Sequence, residues 1–80
     1  MREYLLYHRH AADDCAASAA AWKAFASPLR GMPALSTCLY GAHELWWQVS
    51  ATDPAEALSR LPRFVAARTV AIRVVALATP

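Results

Sequence analysis

Three histidines, two cysteines and a few tyrosines carry the chemistry available to this chain. His8-Arg9-His10 places two imidazoles two positions apart, so on an extended strand they project from one side, about 7 Å from each other. Imidazole titrates near neutrality and can take up and release protons at ordinary pH. His8 is therefore the expected proton shuttle, with His10 and His43 supporting it and the Tyr40 hydroxyl donating to a developing oxyanion. The set His8, His10, His43 and Cys15 also has the donor types of a zinc- or copper-like shell. The spacing is no established metal signature, and no carboxylate is placed to orient the rings. Metal-free acid–base chemistry is the first expectation, and a divalent transition metal is the alternative. Cys15 lies near an expected helix start, where the dipole favours thiolate. Cys15 and Cys38 nevertheless read first as small buried hydrophobes. A disulfide between them would need an oxidising compartment that nothing else in the sequence suggests.

These groups are useful only if the backbone brings them together. Residues 3–10, rich in Tyr and Leu, predict a first strand. Residues 11–27 predict a helix, capped by Asp13 or Asp14, filled with alanine and ended by Pro28. Residues 34–40 and 43–50 are strand-like around Gly41-Ala42, which suits a two-residue hairpin. Asp53-Pro54-Ala55-Glu56 is a strong helix start, and the helix should reach about Leu61, before Pro62. Residues 63–68 read as an irregular turn or a short helical extension, and the β-branched run 69–77 as the last strand. In 80 residues the order β-α-β-β-α-β predicts a ferredoxin-like α+β sandwich: one domain, an antiparallel sheet of order 4-1-3-2, and both helices on one face.

Strand alternation then sorts the side chains. Tyr4, Leu6, His8 and His10 fall on one face of the first strand. Ser36, Cys38 and Tyr40 should share that face with His43, Leu45, Trp47 and Val49, as should Val70, Ile72 and Val74. This is the expected helix side. Its core is Leu6, Trp47, Val49, Ile72 and Trp22, and its polar end holds His8, His10, His43, Tyr40, Cys38 and Cys15. Trp22 and Trp47 would wall a substrate pocket, with Cys15 and Cys38 beside it. The opposite face carries Leu5, Tyr7, Arg9, Glu44, Trp46, Gln48, Arg73, Val75 and Leu77, a mixture that suits an interface more than bare solvent.

Bulk composition narrows the classes. Hydrophobic residues make up 58% of the chain, but 19 of them are alanine, which buries little area. A chain of 8.7 kDa should expose roughly 4,700 Å² when folded, which leaves a thin core. Such a chain usually needs a staple or a partner, and two cysteines form at most one bridge. A homodimer through the open sheet face, with Tyr7, Trp46, Arg73 and Leu77 at the contact, is therefore expected. A net charge of +2 is too weak to argue for nucleic acid or an anionic membrane. The strand 43–50 also lacks the basic-Gly-aromatic pattern of RNA-recognition sheets. No apolar window of 18 residues and no signal-like leader is visible, so the expectation is a cytoplasmic protein with reduced cysteines.

One segment carries a resemblance. Ala57-Leu58-Ser59-Arg60-Leu61-Pro62-Arg63-Phe64, followed by a strand ending Ile72-Arg73-Val74-Val75-Ala76-Leu77, resembles the last third of the muconolactone isomerase family. That family shares the pattern Ala-Leu, two residues, Leu-Pro, one residue, Phe, then a closing strand. The resemblance covers about a quarter of the chain and contains no catalytic residue to transfer. It implies the dimeric α/β-barrel superfamily, whose members pair two sheets face to face and hold small, often aromatic molecules between sheet and helices. They include lactone isomerases, cofactor-free monooxygenases, polyketide cyclases and haem-handling enzymes. The expected function is thus binding, and conversion of an isomerase, cyclase or oxygenase type, of a small hydrophobic metabolite. A non-enzymatic accessory or ligand-binding dimer with structural histidines is the alternative.

Overall fold

A computed structural model describes residues 1–80. Its strands are β1 (Arg2–Arg9), β2 (Leu35–Ser36), β3 (Glu44–Ala51) and β4 (Thr69–Val74). All pairings are antiparallel, in the order β2-β3-β1-β4, which is the expected order counted from the other edge. A 3-10 turn (Ala12–Asp14) and α1 (Cys15–Lys23) follow β1, while α2 (Pro54–Leu58) and α3 (Arg63–Ala66) join β3 to β4. No helix is long and apolar enough to cross a membrane.

The helix start at Asp53 forms as its residues dictate. The Asp53 side chain accepts the Glu56 backbone N–H at 2.8 Å, and Pro54 occupies the first turn. The Thr52 hydroxyl donates to the Glu56 carboxylate, which, with Arg60 3.2 Å away, holds that carboxyl below its usual range. α1 is shorter than expected. The chain leaves it at Ala24, before Pro28 can act, and Ser27 is buried with its hydroxyl on the Arg60 carbonyl.

One face of the sheet is the core. Tyr4 and Leu6 of β1 and Trp47, Val49 and Ala51 of β3 pack with Ala57 of α2, Leu61, and Val65 of α3. Ala21 and Trp22 of α1 close over them. Register fixes the rest of this face, because His8 pairs with Leu45 and Thr69, and Leu6 with Trp47 and Ala71.

That register corrects the expected faces of the last strand. Thr69 and Ala71, not Val70, Ile72 and Val74, lie on the helix side, and Ile72 is 44% exposed on the open face rather than in the core. Arg73 pairs with buried Tyr4, so it belongs to the helix-side row and not to the open face. Leu77 lies beyond the end of β4. The cause is the turn out of α3. The Thr69 hydroxyl donates to the Val65 carbonyl at 2.7 Å, which makes Thr69 the first inward residue of the strand. A one-residue change of phase moves every side chain to the other face.

The hairpin also departs from expectation. β2 has only two residues, and the Thr37 and Glu44 backbones close the loop, with Thr37 N–H donating to the Glu44 carbonyl at 2.9 Å. A 3-10 turn (Cys38–Tyr40) and left-handed Gly41 (φ 90°) fill it. Tyr40 is therefore not on a strand. It is 88% exposed and takes no part in the polar cluster.

Candidate functional site

β1 delivers the cluster's first members. Its alternation buries His8, leaving it 1% exposed. Beyond the strand end, the His10 N–H donates to the His43 carbonyl at 3.2 Å, extending the β1–β3 pairing by one bond. That bond sets the two histidines side by side, with ring centroids 5.4 Å apart. His43 has φ 55°, a left-handed conformation uncommon outside glycine, and such strain concentrates at functional positions. Cys15, at the first residue of α1, completes the group.

A continuous chain of polar contacts results. His8 Nδ1 lies 3.0 Å from Thr69 Oγ1 and 3.2 Å from the Val65 carbonyl oxygen. The Thr69 hydrogen is committed to that same carbonyl, which can only accept. We therefore assign the neutral tautomer of His8 with its proton on Nδ1, shared between the two oxygens. His8 Nε2 is then an acceptor, 2.8 Å from His10 Nδ1, which donates to it. His10 Nε2 is in turn left as a lone pair, 3.3 Å from Cys15 Sγ, and Sγ lies 3.2 Å from His43 Nδ1. Burial lowers the His8 pKa, the nearby His10 and Arg68 charges lower it further, and the Val65 carbonyl opposes them. His8 is thus held neutral, which keeps the tautomer chain in place.

The cluster forms the polar end of a pocket of about 260 Å³ between sheet and α1. Its lining includes His8, His10, Cys15, Cys38, Trp22 and Trp47, six of the eight site residues expected from sequence. His43 adjoins through Cys15, whereas Tyr40 is elsewhere. The Trp22 and Trp47 rings meet at a 45° tilt with centroids 5.7 Å apart, and both also line a second pocket of about 330 Å³, with Leu29, Met32 and Ala34.

Two functional groups escaped the sequence reading. One is the Val65–Thr69 anchor behind His8, hidden by the misassigned face of β4. The other is Ser18, the one buried residue of α1 and part of the pocket wall, whose Oγ has no hydrogen-bond partner. A lone serine on the inner face of an alanine-rich helix was the available signal.

The chain matches no family model, no curated protein and no solved structure. The residues of the site therefore carry the functional argument.

Proposed function

We propose that this chain is one half of a ferredoxin-like homodimer of the dimeric α/β-barrel kind. It binds a small, largely apolar molecule bearing a hydrogen-bonding group. The His8–His10–Cys15–His43 chain exchanges protons with that molecule in an isomerase-, cyclase- or cofactor-free-oxygenase-type conversion. The observation that carries the reading is the buried, unpartnered Ser18 hydroxyl in the pocket wall. Leaving a buried hydroxyl unpaired costs about 1–3 kcal/mol; the Ser18 oxygen is closed off in the empty pocket, so a ligand's polar atom recovers that cost by parting the wall to reach it. Trp22, Trp47 and Leu45 supply the apolar walls, and the imidazole–thiol end supplies the acid–base groups. His8 cannot meet a ligand through its nitrogens, because both are already engaged; His10 and Cys15 are the reactive surface, and His8 orients them.

The test uses phenol and toluene, read by quenching of tryptophan fluorescence. The native protein should prefer phenol. In Ser18→Ala that preference should shrink by about two- to tenfold, the worth of one hydrogen bond of 0.5–1.5 kcal/mol, while the fold is kept because alanine is the better helix former. An unchanged phenol-to-toluene ratio would sink the reading.

The second copy covers the open face. Leu35, Val70 and Ile72 are 75, 55 and 44% exposed there, beside Leu5 and the Tyr7–Trp46 pair, whose rings lie 5.4 Å apart. Tyr7 is held in place by its hydroxyl, which donates to the Glu44 carboxylate and so raises the phenol pKa. The chain exposes 5506 Å², roughly 800 Å² more than a compact monomer of its mass. Light scattering at micromolar concentration should give a dimer, and Ile72→Lys should give a monomer. A monomeric native chain would overturn the assignment.

A further inference from the structure

The ligand atoms of His10, Cys15 and His43 all lie within 4.8 Å of one another. We propose that these three side chains bind a divalent transition-metal ion of the zinc class, with His8 as a positioning residue outside the coordination shell. This inference stands on the three side chains alone and does not require the pocket to hold an organic ligand; with the ion bound, the His10 Nε2 and Cys15 Sγ lone pairs are taken, so metal binding is an alternative to their proton exchange and not an addition to it.

The donor set suits the ion. Zinc accepts imidazole nitrogen at about 2.0–2.1 Å and thiolate sulfur at about 2.3 Å. Tetrahedral angles at those lengths call for S···N separations of about 3.6 Å and N···N of about 3.3 Å. Cys15 Sγ is 3.3 Å from His10 Nε2 and 3.2 Å from His43 Nδ1, so the sulfur withdraws by a few tenths of an ångström, while the two ring nitrogens, within 4.8 Å of each other, close toward about 3.3 Å. Sulfur has room to do so, since Cys15 is exposed. On coordination the Cys15 proton leaves to solvent and the ion sheds water; no electron changes hands.

The strongest part of the argument is the tautomer of His10. A ligating histidine nearly always donates its other ring N–H to a partner that fixes the ring and raises its basicity. Here the His10 Nδ1–H donates to His8 Nε2, and His8 is itself fixed by the Val65 carbonyl and the Thr69 hydroxyl. A buried imidazole thus does the work usually done by a carboxylate, the group whose absence argued against a metal at the level of sequence. The same bonds remove His8 from the coordination shell. Three protein ligands leave one position of a tetrahedral ion for water or for a pocket ligand.

Cobalt(II) titration of chelator-treated protein tests the proposal. One ion per chain should bind, with the near-ultraviolet thiolate-to-cobalt charge-transfer band and the intense visible bands of a tetrahedral site, and zinc should displace it. Cys15→Ser should abolish the charge-transfer band, and Cys38→Ser should leave it intact. His43→Ala should weaken binding by more than the roughly 10–100-fold typical of losing a supporting partner. Circular dichroism checks that each variant is folded. The proposal is overturned by any of three results: no charge-transfer band in the native protein, a band that survives Cys15→Ser, or binding weaker than about 1 mM.

Discussion

Replacing Trp47 with alanine is expected to remove about 3–5 kcal/mol of stability, as for other buried large aromatics. Trp47 is 6% exposed at the centre of β3. Its ring meets Trp22 at 5.7 Å and His8 at 6.2 Å, so it supports the core and the polar cluster together. The core cluster it belongs to also includes Ala51 and Ala57, short side chains that cannot reach into a hole left by the indole. A domain this small has only about 5 kcal/mol or so in reserve. Trp47→Ala should therefore be largely unfolded at 37 °C by circular dichroism, and Trp47→Phe should be intermediate. Urea titrations at one fixed protein concentration give the comparison, because the proposed dimer would make stability concentration-dependent. A loss below about 1 kcal/mol would show that the ring is not a core member.

The second large effect separates fold from site. His8→Leu should leave stability unchanged or slightly higher, yet lower cobalt affinity by about 10–100-fold. The stability half follows from the hydrogen-bond inventory. Thr69 Oγ1 keeps its bond to the Val65 carbonyl at 2.7 Å, and the Arg68 N–H donates to the same oxygen at 3.0 Å, so neither oxygen behind His8 is stranded; the group that loses its partner is the part-buried His10 Nδ1–H at the pocket end. An apolar side chain of similar size replaces a polar one in a closed position, which is commonly neutral or favourable. The affinity half follows from His10, whose Nδ1–H loses its acceptor and with it the fixed tautomer and ring angle. A purely structural role for His8 predicts the reverse: lower stability with unchanged affinity in the folded fraction. Urea titration and cobalt titration of the same preparation distinguish the two.

Much of the scaffold was legible in local sequence. Asp53-Pro54-Ala55-Glu56 specifies its own helix start through a cap and a fixed φ, and the structure shows both. The alternation in 3–10 and 43–50 placed Leu6, His8, Trp47 and Val49 on the inward face, since period two survives whatever the strands pair with. Antiparallel pairing of those strands then brings His8 and His10 to the end where His43 enters, so a histidine cluster was already implied. The short β2 and the exposed Tyr40 were not legible. A Gly41-Ala42 pair is compatible with a tight hairpin, and only the Thr37 N–H bond to the Glu44 carbonyl, with the Glu44 N–H donating to Thr37 Oγ1, selects the longer loop.

The residue sequence thus determined the order of elements, the sheet order and which imidazoles share a face, because each depends on spacing within a short stretch. Tertiary structure decided the phase of β4. Hydrophobicity favoured the row Val70, Ile72 and Val74 over Thr69, Ala71 and Arg73 as the inward face, and the Thr69–Val65 bond set the opposite phase. It also decided the tautomers. A histidine's proton goes where its neighbours can accept it, and for His8 those neighbours are Val65 and Thr69, 57 and 61 residues away in the chain.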